Sequence, residues 1–214
     1  LPVTGVLSPC PMGWTVASLE QITSQVRPIC YGILMPKENF PGGVPYVKVK
    51  DMKGDRIDVQ ALHRTHPSIA AAYARASLQA GDVLLAIRGT FGRVAEVPEG
   101  LDGTNITQDT ARLAVSTHLD RRWIAWVLRS KTLQHHFEKV ARDVAVKGVN
   151  IGDVRPTPVP VPPLPEQHRI VIEVERRLSV VDELEATVEK NLVRCARLRQ
   201  SILKMAFEGR LVPQ

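Results

Sequence analysis

Cysteine is scarce in this chain, and its three copies, Cys10, Cys30 and Cys195, lie far apart. No two of them form a C-x-x-C pair, so the sequence supports neither a disulfide framework nor a structural zinc site. A reduced, cytoplasmic setting is the simplest interpretation. The chain also lacks an apolar run near the roughly 20 residues that a membrane-spanning helix needs, so we expect no membrane partner.

Aromatic residues make up only 5% of the 214 residues, so the core must consist mainly of aliphatic side chains. A hydrophobic fraction of 44% and a charged fraction of 23% are typical of globular domains and exclude disorder as the main state. Lysine and arginine number 28 against 22 aspartate and glutamate, a net charge of +6. This modest excess, most of which lies before residue 166, favours a polyanionic partner.

Catalytic and cofactor motifs are missing as well. The sequence has no GxxxxGK(S/T) phosphate loop, no GxGxxG after a predicted strand and no nucleophile elbow. The pairs His63/His66 and His135/His136 have no cysteine or carboxylate at metal-ligand spacing. We therefore expect a non-catalytic chain with no catalytic residue, no metal and no cofactor.

Proline divides the chain into two regions. Six prolines fall within residues 155–165, a density that excludes a helix, disfavours a central strand and predicts an extended, semi-rigid connector. We expect an α+β fold, with a globular domain over residues 1–160 that has a mostly antiparallel or mixed sheet and flanking helices. Residues 161–214 would form the connector and a long coiled-coil helix.

Short apolar patterns predict the elements of the globular domain. Residues 44–50 alternate apolar and polar side chains after two glycines, as in a half-buried strand whose Lys48 and Lys50 share one face. Residues 83–87 form an apolar run typical of a buried strand, and a glycine-punctuated turn leads to a return strand over 93–97. Further predicted elements are helices over 68–79 and 118–142 and a strand over 113–115.

After Pro165 the sequence predicts one helix of about 42 residues, roughly 60 Å long at 1.5 Å per residue. Its apolar residues recur at steps of three or four with a mean of about 3.4, close to a heptad seam. We call them the apolar stripe: Val174, Leu178, Val181, Leu184, Val188, Leu192, Cys195, Leu198, Ile202 and Met205. Because the helix is longer than the globular domain is wide, we expect a second helix to cover most of the stripe.

Basic and amide side chains lie on the predicted loops. Taken singly, each is best explained as a solvated charge on the rim of a strand. Taken together on the loops of a basic domain, they indicate DNA contact, because Lys and Arg hold phosphates and Arg, Lys, Asn and Gln read base edges. The candidate DNA-binding residues are Lys48, Lys50, Lys53, Arg88, Thr90, Arg93, Lys147 and Asn150. An alternative is a pure interaction module with inert basic loops.

Five blocks of sequence resemble one known family and occur in its order. They are Gly13-Trp14 with Leu19, residues 43–51 with Gly54, residues 78–93, residues 159–167 with the following Arg169-Ile-Val, and residues 198–211. Together they resemble the DNA specificity subunit of type I restriction-modification systems, over nearly the whole chain.

The resemblance implies that the globular domain is a target recognition domain that reads one half of a split sequence in double-stranded DNA. The long helix would be a spacer that packs against a counterpart and holds the modification subunits. Those subunits would bind S-adenosylmethionine and methylate adenine, and a restriction subunit would cleave DNA. None of that chemistry would lie in this chain.

The chain departs from the family pattern, which has two recognition domains and two helices. Either it is the second half of a longer subunit or it is a half-length subunit that forms a homodimer, and the start at Leu1 instead of Met favours the first. A further alternative is the recognition segment of a fused methyltransferase-nuclease polypeptide.

Overall fold

Short strands and helices precede one long helix in the computed structural model, which describes residues 11–141 and 148–212. In chain order the strands and α-helices are β1 (Thr15–Ser18), β2 (Cys30–Tyr31), β3 (Val44–Val47), β4 (Met52–Lys53), β5 (Arg56–Ile57), β6 (His63–Thr65), α1 (Pro67–Ala72), β7 (Val83–Ala86), β8 (Val94–Glu96), β9 (Asn105–Ile106), β10 (Thr110–Leu113), α2 (Arg121–Arg129), α3 (Lys131–Val140), α4 (Ile151–Val154), β11 (Pro158–Val161) and α5 (Leu164–Phe207).

The strands form a mixture of antiparallel and parallel pairs. A four-stranded sheet has the order β2-β10-β7-β8, and all its neighbours are antiparallel. A three-stranded sheet has the order β6-β3-β9, in which β9 runs parallel to β3. The pairs β4–β5 and β1–β11 form two-stranded antiparallel sheets. Mixed sheets with flanking helices and a long final helix confirm the predicted α+β fold.

Strand β7 lies at the centre of the largest sheet and is buried along its whole length. Its Leu84 and Ala86 pack in one apolar cluster with Met52, Ile57 and Ile106, among others. A strand that is buried on both faces reads as a continuous apolar run, which is why the sequence predicts it correctly. The hairpin that joins β7 to β8 is confirmed as well.

The prediction of a strand over residues 44–50 is wrong about where the strand ends. Strand β3 stops at Val47, and a 3₁₀ turn follows over Val49–Asp51. The buried carboxylate of Asp51 accepts a 2.9 Å hydrogen bond from the backbone N–H of Lys48. Because this side chain competes with the strand ladder for a backbone donor, the chain turns here, and Lys48 and Lys50 do not share a strand face.

The helix predicted over residues 118–142 is two helices. Ser130 between α2 and α3 has an extended ψ of 145°, and its hydroxyl accepts a hydrogen bond from the N–H of Leu133. Serine favours such a cap over a helix interior. The helix predicted over 68–79 is also shorter, since α1 is followed by a separate 3₁₀ turn over Ala74–Ala76. The strand predicted over 113–115 is β10, which begins earlier, at Thr110, and ends at Leu113.

The proline-rich segment takes part in a sheet. Strand β11 pairs with β1, with Ser18 opposite Pro158 and Thr15 opposite Val161. Prolines fit because each strand of a two-stranded sheet has one free edge. The indole N–H of Trp123 donates to the Pro160 carbonyl at 3.0 Å. The predicted extended conformation is confirmed, whereas the pairing with β1 has no signal in the proline pattern.

The chain divides into two compact units, one ending at His168 and one beginning at Arg169. In the second unit, helix α5 continues to Phe207, and its 44 residues span about 66 Å. Most of the apolar stripe is exposed on it, with Leu184 and Leu192 each 60% accessible. Near the start of this unit, hydrogen bonds from Arg176 and Arg177 lower the pKa of Glu173 to about 2. Among the described helices, none is long and apolar enough to cross a membrane.

Gly32 lies where two backbone segments meet, and we expect Gly32→Ala to destabilise the domain by about 2–3 kcal/mol. A Cβ atom at this position would overlap the Ile106 carbonyl oxygen, which cannot move without breaking the adjacent strand. Urea unfolding followed by circular dichroism measures the effect. Gly152→Ala is the matched control, because nothing lies within 4 Å of its Cβ position and alanine favours the helix. Equal midpoints for Gly32→Ala and the wild type would contradict the prediction.

Candidate nucleic-acid interface

The turn between β7 and β8 exposes three of the candidate DNA-binding residues, Arg88, Thr90 and Arg93. Its glycines adopt left-handed backbone conformations, with φ of 67° at Gly89 and 87° at Gly92. The side chain of Gln134 on α3 donates a 2.9 Å hydrogen bond to the Gly92 carbonyl, and a Cβ at Gly92 would overlap it. The turn is therefore held firmly against α3 while its basic side chains face solvent.

Arg93 joins this turn to the segment that follows β3. Its guanidinium donates to the carbonyl oxygen of Met52 at 3.1 Å and of Val49 at 3.5 Å. Lys50 directly follows Val49 and Lys53 directly follows Met52, and both lysines are exposed. The structure thus brings residues that are about 40 positions apart in sequence to one place.

Lys48 differs from the other two lysines because it is half-buried. Its ammonium lies 5.1 Å from the centre of the Tyr46 ring, a favourable cation–π distance. Burial, and next the negative charge of Asp51, raises the pKa of the Tyr46 hydroxyl, while Lys50 acts in the opposite direction. The phenol therefore stays neutral, and Lys48 has a packing role beside any role in DNA contact.

Arg88 links the turn to two further loops. Its guanidinium donates to the side-chain oxygen of Gln108 at 3.2 Å, and its backbone pairs with Gly148. The N–H of Val149 donates to the Ile87 carbonyl at 2.7 Å, which places the exposed Asn150 just beyond.

We define the loop edge as residues 48–53, 88–93, 108–109 and 148–150. These loops meet because β3 and β9 are parallel and end together, while the N–H of Ile87, just after β7, bonds to the carbonyl of Asp109. All the candidate DNA-binding residues that the structure describes lie here; Lys147 lies outside the described residues. Gln108 belongs to the edge but was not among the candidates, and its only sequence signal is an amide two residues after the short strand β9.

The loop edge carries five Lys or Arg residues against two Asp, and the carboxylate of Asp51 already bonds to the backbone. Exposed Lys and Arg can neutralise phosphates, while Arg, Asn and Gln can also hydrogen-bond to base edges. In the described part of the chain, no three or more His, Cys, Asp or Glu side chains group closely enough to hold a metal ion. The arrangement suits binding of a polyanion.

A polar cavity of about 770 Å³ lies near the opposite end of β7. Charged groups that line it are already paired: Arg27 bonds to Asp82, Arg122 bonds to Asp120, and Arg121 bonds to Glu96 outside the lining. Asp82 precedes β7 and Arg88 follows it, so the strand separates this cavity from the loop edge.

Comparison with known proteins gives a consistent result. Residues 13–193 match the family model described as type I restriction modification DNA specificity domain. The EcoBI specificity subunit of a type I restriction enzyme from Escherichia coli is 31% identical over 205 residues, which cover 95% of this chain and 43% of that protein. The chain therefore spans less than half the length of this relative.

Solved structures show the same fold. A chain from a type I R-M system has a TM-score of 0.76 and 23% identity, covering 98% of this chain and 49% of that one. The HsdS subunit from Thermoanaerobacter tengcongensis has a TM-score of 0.68 and 24% identity, covering 98% and 48%. Since the family model extends from the first described strand into the long helix, this chain belongs to the type I restriction modification DNA specificity domain family.

Proposed function

We propose that this chain recognises one half of a bipartite target in double-stranded DNA through the loop edge. The observation that carries the proposal is the convergence of exposed Lys, Arg and Asn side chains from separate loops on one edge of a member of this family. Residues 1–160 form the target recognition domain in this proposal. Lys50 and Lys53 hold phosphates, while Arg88, Thr90 and Asn150 are available to base edges.

The loops suit this task because they are fixed before DNA arrives. Arg93 ties the β7–β8 turn to Met52, and Gln134 ties it to α3. A loop that is already ordered loses less conformational entropy on binding, so more of the contact free energy appears as affinity.

Residues 161–214 act as spacer and docking element in this proposal. Each residue of a helix adds 1.5 Å and 100° of rotation, so helix length sets the distance to a second recognition domain. The exposed apolar stripe packs against a second helix, supplied by the other half of a longer subunit or by a second copy of the chain.

The chain itself is non-catalytic in this proposal and needs no cofactor. Modification subunits dock on the helix and methylate DNA, and a restriction subunit completes the complex in the cytoplasm. The relative that matches most of the chain is a specificity subunit, which does not favour the alternative of a fused methyltransferase-nuclease polypeptide.

Affinity for DNA falls as salt rises, so the slope of log affinity against log salt concentration is negative. We expect Lys50→Ala and Lys53→Ala each to make this slope less steep by about 0.9, because each removes one phosphate contact and its counterion release. The measurement uses the chain assembled with its modification subunits and a 30-base-pair duplex, titrated from low to high salt by fluorescence anisotropy. Lys190→Ala removes the same charge from an exposed position on helix α5 and is the control. A slope that is the same in all four proteins would contradict DNA contact by these lysines.

A further inference from the structure

Gln108 and Arg88 form a pair that stands out within the loop edge. The side-chain oxygen of Gln108 accepts a 3.2 Å hydrogen bond from the Arg88 guanidinium. The backbone beneath both residues is anchored, since the N–H of Gln108 donates to the Ile33 carbonyl at 2.9 Å and the N–H of Ile87 to the Asp109 carbonyl at 2.8 Å. Neither side chain is fully buried, so the pair is accessible from solvent.

The chemistry of the pair restricts what it can bind. Arginine has five donors and no acceptor, and the Gln108 amide offers two N–H donors beside the one lone pair of its oxygen that Arg88 does not use. The pair therefore presents mainly donors to an incoming group. Adenine shows one acceptor and one donor in the major groove, and its amino group would face a donor. A phosphate shows two acceptor oxygens, and guanine shows O6 and N7.

Arg93 lies at the other end of the same turn, but its guanidinium has a structural role. Its guanidinium already donates to the carbonyl oxygens of Val49 and Met52, and it fixes loop against loop. The partner of Arg88 is a side chain at the loop edge instead of a buried carbonyl. Within this turn, Arg88 is thus the guanidinium placed for a ligand.

We infer that Gln108 is a positioning residue, which holds Arg88 so that the pair grips one two-acceptor group of the DNA, a phosphate or the O6/N7 edge of a guanine. This rests on the proposed function. A free arginine loses about 2 kcal/mol of side-chain entropy when it is immobilised, and the bond to Gln108 removes part of that cost before DNA binds.

The test uses the chain assembled with its modification subunits and a duplex that contains the sequence it modifies, found by mapping modified bases in host DNA. We expect Arg88→Ala to weaken binding about 10–100-fold and Gln108→Leu about 5–10-fold, because the leucine fills the space without an acceptor. Gln108→Glu keeps an acceptor for Arg88 but replaces the two amide donors with a negative charge, so it is expected to bind DNA more weakly than the wild type while still holding Arg88 in place.

Analogue duplexes identify the group that is held. Methylphosphonate at one phosphate, or 7-deazaguanine at one guanine, should weaken wild-type binding and have no further effect on Arg88→Ala. The same analogue should still weaken DNA binding by Gln108→Glu, whereas it should change DNA binding by Gln108→Leu only slightly. A merely structural role of Gln108 would lower affinity while leaving the analogue effect unchanged.

Two results would overturn the inference. One is that Gln108→Leu binds as tightly as the wild type; the other is that no analogue position is coupled to Arg88. Both leave the proposed function intact, provided that the wild type prefers its target to a random duplex. If the wild-type complex shows no such preference, the proposed function fails and the inference fails with it.

Discussion

The double substitution Leu184→Glu/Leu192→Glu is expected to abolish pairing through helix α5. Both leucines are 60% exposed in the isolated chain and lie on the apolar stripe. In a paired seam each buried leucine contributes about 1.5–3 kcal/mol, and in a homodimer two substitutions change four side chains. The loss of about 6 kcal/mol or more corresponds to association at least about 10⁴-fold weaker.

Light scattering after size exclusion measures this effect directly. We expect the wild-type chain of 23.7 kDa to elute as a dimer and the double variant as a monomer. Ala186→Glu/Gln200→Glu adds the same charge at exposed positions about 200° and 160° round the helix from Leu184, and this control should still dimerise. Equal dimer affinity for the leucine variant and the control would show that the stripe is not the contact surface.

Arg27→Met is expected to lower the free energy of unfolding by about 3–5 kcal/mol, because it leaves a buried carboxylate without its charged partner and with only the Gln79 N–H bonded to it. The side chain of Asp82 is only 3% exposed and that of Arg27 is 25% exposed. The guanidinium contacts both carboxylate oxygens, at 2.9 and 2.7 Å, and also donates to the Ser77 carbonyl. Since domains are stable by about 5–15 kcal/mol, such a loss is a large fraction of the total.

Urea unfolding of three variants measures how much the ion pair contributes to the free energy of unfolding. The double variant Arg27→Met/Asp82→Leu should recover much of the loss, because no buried charge remains. Arg56→Met should change stability by less than about 0.5 kcal/mol, since its pair with Asp55 is long at 3.8 Å and both side chains are exposed. A change for Arg27→Met as small as that for Arg56→Met would mean that Asp82 is satisfied by other donors.

Patterns that repeat locally were predictable. The helix that the sequence places after Pro165 is α5, since a period near 3.5 over 40 residues depends on no distant contact. The apolar run of residues 83–86 identifies β7, and Gly89 and Gly92 identify the turn that follows it. These signals are also local and depend on no distant contact. These elements carry the apolar stripe and the Arg88–Arg93 part of the loop edge.

Single side chains that bind distant or neighbouring backbone were not predictable from periodicity. Asp51 ends β3 early, and Ser130 divides a regular helical pattern into two helices. The prolines of β11 predict an extended segment, but they do not predict its pairing with β1, about 140 residues earlier. Each case depends on a hydrogen-bonded partner, a single group for Asp51 and Ser130 and a whole strand for β11, that residue type alone does not identify.

The sequence by itself determined the class of fold, the long helix with its stripe, and the types of side chain available for DNA, because these follow from composition and short periods. Only the tertiary structure decided that the loops after β3, β7 and β9 meet at one edge, since that depends on the parallel pairing of β3 with β9. It also assigned different tasks to Arg88 and Arg93, which are indistinguishable as residue types. Their partners, Gln108 for one and the Met52 carbonyl for the other, come from chain segments that only folding brings together.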